Sequence, residues 1–213
     1  MYWLEYRFGL NFNRYGIYPR SFQGLRGIFL SPFIHSGPQH LFNNSTPLFV
    51  LTASLLFFYR KIAFPVLFYG LLLTGLITWI IARPAFHIGA SGIIYLLVSF
   101  IFFSGIFRKY YRLVALSLII VFLYGSMIWY IFPIKESISW EGHLSGFLVG
   151  LLFAYIFRKT GPQKTNYEFK ETEFDAFFDE DGNFIPPNKG DSEIKEDENT
   201  SRTYSDIDFT DNQ

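Results

Sequence analysis

The 213-residue chain contains no cysteine. That absence excludes a disulfide framework, a thiolate nucleophile and a cysteine-held metal, and leaves Ser, His, Asn, Tyr or the acids to carry any chemistry. Acids are themselves scarce over most of the length. Residues 1–159 hold three, Glu5, Glu136 and Glu141, against 13 Lys and Arg, whereas residues 160–213 hold 15 against five. The zero formal net charge is therefore +10 cancelling −10. Charged residues make up only 17% of the chain, against 50% apolar and 21% aromatic, and mean hydropathy is positive at +0.22. An ordinary soluble domain is excluded, and the chain reads as an integral membrane protein. The lipid bilayer is its first expected partner, and no nucleic-acid partner is expected.

What is present is a set of long apolar runs. Residues 1–40 do not supply one: MYWLEYRFGL is broken by Glu5 and Arg7, and GLRGIFLSPFIHSGPQ has a short apolar centre bounded by Gly and Pro. This segment reads as an outer-face loop region of short surface helices. Five candidate spans follow within residues 41–159, at roughly 41–59, 62–82, 89–107, 113–132 and 141–157. Each is near the ~20 residues that ~30 Å of hydrocarbon requires. The expected fold is an all-α polytopic membrane helix bundle with short loops and antiparallel neighbours.

Basic residues set the expected orientation. Arg60 and Lys61, then Arg108, Lys109 and Arg112, then Arg158, Lys159 and Lys164 alternate with loops offering only Arg83 and Lys135. The richer side is expected to be cytoplasmic. The spans beginning near 41, 89 and 141 then start at the outer face and the C-terminus lies inside, in what is expected to be a bacterial plasma membrane. Five spans leave residues 1–40 outside with four Arg and one Glu, which resists translocation. A first span upstream of Met1, or a truncated start with MYWLEYRF as its remnant, is therefore expected. Residues 160–213 are acidic and polar and read as a disordered cytoplasmic tail. The aromatic stretch Phe174–Phe184 within it is a candidate docking motif for a soluble partner. The Asp179–Gly182 spacing hints at a calcium loop but lacks the terminal Glu and flanking helices. No metal or cofactor is expected.

Three polar clusters head the spans that start at the same face. His40 and Asn44 are four residues apart, as are Ser91 and Tyr95, so each pair shares a helical face. His143 shares a face with Gly146 and Gly150. His143 opposite Ser91 is suited to take its proton as general base, with Gly146 and Gly150 permitting close helix approach. His40, the Asn44 amide and the backbone N–H of Ser91 are suited to bind an oxyanion. Gly89 and Gly92 leave room for a substrate backbone beside the serine, and Tyr95 is placed to steady the His143 ring. Each pattern alone is ordinary: a membrane serine commonly bonds its own backbone, His40 and Asn44 can cap a helix, and Gly146–Gly150 can be simple packing. Glu141 is expected in the outer interface, Trp79, Trp129 and Trp140 in the aromatic belt, and His87 and His35 as loop supports.

Taken together, HSGPQHLFNNS, GASGIIY and GHLSGFLVG, in that order, resemble the rhomboid family of intramembrane serine proteases over about residues 16–159. The resemblance implies a six-helix bundle, of which the first helix is missing or vestigial here. It also implies a catalytic dyad of Ser91 and His143, oxyanion binding by His40 and Asn44, an outward-opening aqueous cavity, and membrane-protein substrates cleaved in or near their transmembrane segments. The Trp-Arg pair of the family's first outer loop is not intact, Arg26 alone standing near its position. Two other readings compete: a rhomboid-like pseudoprotease that binds membrane clients without cleaving them, and a small channel lined by the buried His and Asn. The near absence of acids within the spans counts against the channel.

Overall fold

Each long apolar run becomes a helix, because a helix satisfies its own backbone hydrogen bonds where no water is available. The computed structural model describes residues 2–123, 129–135, 138–162 and 174–186. Regular structure among them is helical, apart from two isolated antiparallel bridges, Ile17 with His87 and Phe178 with Phe184. The helices are α1 (Tyr2–Phe8), α2 (Gly27–Leu30), α3 (Pro38–Phe58), α4 (Ala63–Ile81), α5 (Ser91–Phe107), α6 (Tyr111–Leu123) and α7 (Trp140–Ile156), with short 3-10 turns between several of them. By length and composition α3 and α4 suffice to cross a membrane, and α5, α6 and α7 are shorter apolar helices.

Local sequence explains the starts and bends. Gly37 and Pro38 open α3, the proline sitting where a helix has no use for its missing N–H. Pro47 lies inside the same helix and frees the carbonyl one turn earlier, at Asn43. The span expected over 113–132 ends differently. Residues 124–128 lie outside the described residues, and Trp129–Ile131 forms a 3-10 turn.

The bundle is built around α5, which packs most extensively along α7 and also against α6, α3 and α4. Leu96, Leu97, Phe100 and Ile101 of α5 are completely buried. Outward, by contrast, Phe42, Phe57, Phe64 and Phe122 are 70–84% exposed. Apolar surface on that scale is solvated by lipid rather than water. Helices in lipid gain little from hydrophobic burial against one another, so close van der Waals contact holds them. α5 and α7 achieve it through glycine. A Cβ added at Gly146 would lie 2.0 Å from the Gly92 carbonyl oxygen, and one at Gly150 would lie 2.3 Å from that of Leu96. Between these contacts the Ser99 hydroxyl donates to the Phe147 carbonyl at 2.8 Å.

At the end of the bundle where α5 and α7 finish, Arg108 is buried and donates to the carbonyls of Phe157, Arg158 and Thr160. A cation on the last carbonyls of a helix is favourable electrostatically, and its guanidinium also lies over the Tyr59 ring.

At the other end the segment before α3 folds on itself. A Cβ at Gly24 would meet the Tyr18 carbonyl oxygen at 1.9 Å. The Trp79 indole N–H donates to Ser21 O at 2.9 Å, and the Arg20 N–H donates to Trp79 O at 3.1 Å. Trp79 thus clamps this segment to the end of α4, a role its expected place in an interfacial belt does not include. Paired backbone bonds between Ile17 and His87 tie the segment to the loop before α5.

The chain divides into two units, Met1–Thr165 and Asn166–Gln213. In the second, residues 174–186 form a turn in which the Asp179 carboxylate accepts the N–H groups of Asp181 and Asn183. These bonds hold the exposed Asp179 carboxyl below its usual range. Phe174, Phe177, Phe178 and Phe184 cluster around the turn. The carboxylate is committed to these N–H groups and to the Asn183 side-chain amide at 3.0 Å, and among the described residues no group of three potential metal ligands occurs.

Candidate active site

Ser91 is the first residue of α5, preceded by Ala90 at the N-cap, so its hydroxyl sits where the backbone N–H groups have no intrahelical partner. His143 lies in the first turn of α7. The Gly146 contact brings these two helix starts side by side, and His143 Nε2 lies 2.9 Å from Ser91 Oγ. The other ring nitrogen, Nδ1, is 2.8 Å from the Tyr130 carbonyl oxygen. A carbonyl only accepts, so Nδ1 carries the proton and Nε2 presents its lone pair to the serine hydroxyl. Tyr95, one turn into α5, stacks on the imidazole with centroids 4.2 Å apart and planes 16° apart. The imidazole is therefore fixed in both tautomer and plane.

His40 and Asn44 reach the same place from α3. The backbone N–H of Ser36 points at His40 Nδ1, at 3.4 Å, with the Ser36 hydroxyl at 3.1 Å. An N–H only donates, which leaves the His40 proton on Nε2. A Cβ built on Gly89 would lie 2.6 Å from His40 Nε2 and 3.3 Å from Asn44 Nδ2. The two nitrogens therefore converge on one small volume beside Gly89. Only glycine leaves that volume free, and its φ of +100° suits glycine independently. Asn44 is 6% exposed, and its Nδ2 has no hydrogen-bond partner among the described residues. A buried, unspent donor aimed at an open point is costly at rest and well placed for an anion that forms there.

These groups line a cavity of about 570 Å³ that contains Ser91, His143, His40, Asn44 and Tyr95. The donors around it are imidazole, amide, hydroxyl and the Arg83 guanidinium, with no carboxylate or thiolate among the described residues of its walls, so they offer poor ligands for a hard divalent cation. Ser91, Tyr95, His143, His40, Asn44 and Gly89 are thus brought together. Gly92, Gly146 and Gly150 stand behind them at the helix contact.

The supports around the site include His87 and His35, read from the sequence as loop supports, together with Glu141 and three groups that sequence reasoning did not bring to the site, Arg83, Ser36 and Tyr130. Glu141 is 1% exposed, buried within the protein. Its carboxylate accepts the backbone N–H of Arg83 at 3.1 Å and pairs with the Arg83 guanidinium at 3.2 Å. Arg83 also donates to Ile138 O at 2.8 Å, so the α4–α5 loop is tied to the start of α7. His87 completes the tie, with Nδ1 2.6 Å from Ser139 Oγ and Nε2 donating to Arg83 O at 3.0 Å. Burial pushes its pKa down. His35 is buried edge-on to His40 with ring centroids 5.0 Å apart, and its pKa is lowered to about 4, by burial first and the neighbouring His40 second. Two lone charges in apolar surroundings, Arg83 and Glu141, were a usable signal for a pair. Ser36 stands one helical turn before His40. The Tyr130 carbonyl gave no signal, since every residue has one.

An α-helical membrane bundle with a serine–imidazole pair facing a cavity defines the class. The family model described as "Rhomboid domain" matches residues 23–160, and the chain belongs to the rhomboid family of integral membrane proteins. It is 32% identical over 152 residues to Uncharacterized protein Rv1337 of Mycobacterium tuberculosis and equally to Uncharacterized protein Mb1372 of Mycobacterium bovis, covering 66% of this chain and 62% of each relative. With Uncharacterized protein ML1171 of Mycobacterium leprae it shares 30% identity over 167 residues, 71% of this chain and 63% of that protein. The chain thus spans somewhat over three fifths of the length of these relatives.

Proposed function

We propose that the protein is an intramembrane serine endopeptidase that hydrolyses peptide bonds in or near the transmembrane segments of other membrane proteins. The observation that carries this reading is the pair of contacts at the two His143 ring nitrogens. With Nδ1–H held by Tyr130 O, the Nε2 lone pair faces Ser91 Oγ at 2.9 Å, the resting arrangement of a general base and its nucleophile.

In the first step Ser91 Oγ attacks the scissile carbonyl carbon while its proton passes to His143 Nε2. The carbonyl oxygen becomes an oxyanion and receives hydrogen bonds from His40 Nε2–H, the Asn44 amide and the Ser91 N–H at the head of α5. The tetrahedral adduct then collapses, the C–N bond breaks, and His143 returns its proton to the departing amine. This leaves an ester on Ser91. A water molecule entering the cavity gives a proton to His143, attacks the ester carbonyl, and releases the new carboxyl group with the serine restored. Tyr95 keeps the imidazole plane fixed throughout, and Gly89 leaves the oxyanion its space. No cofactor enters the scheme. The cavity opens to the outer face, with the C-terminus in the cytoplasm of a bacterial cell, an orientation supported by the basic residues at the opposite loops.

The test is fluorophosphonate labelling and cleavage of a reference transmembrane substrate by the native chain, Ser91→Ala and His143→Ala in liposomes. Labelling and cleavage by the native chain alone are expected. Cleavage that survives either substitution overturns the dyad. An unlabelled native chain that still retains membrane clients establishes the pseudoprotease instead.

A further inference from the structure

A second cavity of about 690 Å³ lies in the folded segment before α3, lined by Arg14, Tyr15, Tyr18, Gln23, Arg26 and Phe86 among others. The proposed peptidase mechanism makes no use of it. Both arginines stand against one ring, with Arg26 4.5 Å and Arg14 5.1 Å from the Tyr15 centroid. One N–H of Arg26 donates to the Arg14 carbonyl at 3.2 Å, and one of Arg14 to the Tyr15 hydroxyl at 3.2 Å. A guanidinium has five such donors, so each keeps most of its fork for a ligand while the ring fixes its position. Neither has a carboxylate partner among the described residues. The ion pair among the described residues is Arg83 with Glu141, and Glu5, the acid of this segment, is engaged by the Phe12 N–H at 2.7 Å.

Position gives the cavity its meaning. Phe86, on the loop leading into α5, lines both this cavity and the one holding Ser91 and His143, and it packs against Tyr18 at 5.0 Å. A single aromatic side chain, Phe86, thus stands between a chain seated at Ser91 and the two guanidinium groups. Fixed, planar forks with free donors match carboxylates.

We propose that this second cavity is an exosite for Asp or Glu side chains in the segment of the substrate that flanks its transmembrane helix, and that it selects acidic-flanked membrane proteins. The proposal rests on the peptidase reading for its consequence, since the bound chain is taken to be the chain cleaved. Selection by Arg14 and Arg26 acts on KM, because the contacts are made equally before and during the reaction.

The experiment uses the full chain in neutral-lipid liposomes and three transmembrane substrates that differ only in an acidic, amide or basic flank. For the native chain kcat/KM is expected to be about threefold to tenfold higher on the acidic flank than on the amide flank, through KM, and the ratio is expected to shrink with salt. Arg14→Gln with Arg26→Gln removes the preference and leaves the amide-flanked substrate unchanged. Arg14→Glu with Arg26→Glu transfers the preference to the basic flank, which a merely damaged loop cannot do. Equal losses on all three substrates, or a dependence on added anionic lipid in place of substrate charge, overturn the exosite, the latter assigning the arginines to lipid phosphate. Fluorophosphonate labelling of Ser91 keeps the two readings apart. If the native chain is neither labelled nor active, anisotropy titrations of the same three flanks as labelled peptides still decide the exosite, and equal affinities overturn it.

Discussion

The Asn44 amide gives the proposed mechanism its sharpest consequence, because the same atom has opposite effects on stability and on turnover. Its Nδ2 is buried with no partner among the described residues, and leaving a buried donor unsatisfied costs about 1–3 kcal/mol in the folded protein. Replacing Asn44 by Ala removes that cost. It also removes a few packed atoms, a loss of about 1 kcal/mol per methylene-sized group. The two terms nearly cancel, so the folded state is expected to change by no more than about 1 kcal/mol. Turnover behaves differently. A donor poised beside Gly89 acquires its partner only when the oxyanion forms, and losing one such donor typically costs about 10²–10³ in kcat. The decisive data are kcat and KM for a transmembrane substrate in liposomes alongside thermal unfolding in detergent. The expected result is a drop of about 10²–10³ in kcat with KM and melting temperature nearly unchanged. A variant that keeps kcat within about threefold removes Asn44 from oxyanion binding. One that loses activity only in proportion to a loss of more than about 3 kcal/mol in stability shows the amide to be structural.

Three further outcomes follow from the supports of the site. Gly146→Ala places a Cβ 2.0 Å from the Gly92 carbonyl oxygen and is expected to force α5 and α7 apart, costing about 1–3 kcal/mol or more by denaturant titration and abolishing Ser91 labelling; a stable, labelled variant contradicts the close contact. Arg83→Ala leaves the Glu141 carboxylate buried without its guanidinium partner, and a loss of about 2–3 kcal/mol is expected, largely recovered when Glu141→Leu is added; purely additive losses in the double-mutant cycle refute the coupling. For pH, the His35 imidazole falls from 6.5 to about 4 on folding, so the folded state binds fewer protons than the unfolded chain between those values. The contribution of this group is complete above pH 6.5 and is lost as pH falls toward 4. His35→Phe is expected to make the melting-temperature profile less steep between pH 6.5 and 4.5, and an unchanged slope removes His35 as a contributor.

Helices were legible wherever composition alone forces them. The apolar runs that become α3, α4, α5 and α7 begin within a few residues of their expected starts, because a backbone in lipid has few alternatives to internal hydrogen bonding. The stretch at 113–132 was less legible. Its residues remain apolar to the end, yet Trp129–Ile131 is a 3-10 turn, and apolarity carries no information on where a helix stops. The partner of Glu141 went unread for a related reason. Nothing local in the sequence says that Arg83 folds back on it from 58 positions earlier.

The sequence by itself determined the membrane-embedded helices and the residue types at their heads: a serine, two imidazoles and an amide, spaced so that His40 shares a face with Asn44 and Ser91 with Tyr95. Those features depend on composition and helical period, which are local. Tertiary structure decided which imidazole nitrogens face a donor and which face an acceptor. The Tyr130 carbonyl sets the His143 tautomer, the Ser36 N–H sets that of His40, and Gly89 leaves the space on which His40 and Asn44 converge. A proton's place on an imidazole depends on the one group opposite it, and here that group is backbone brought in from another part of the fold, where residue type carries no information.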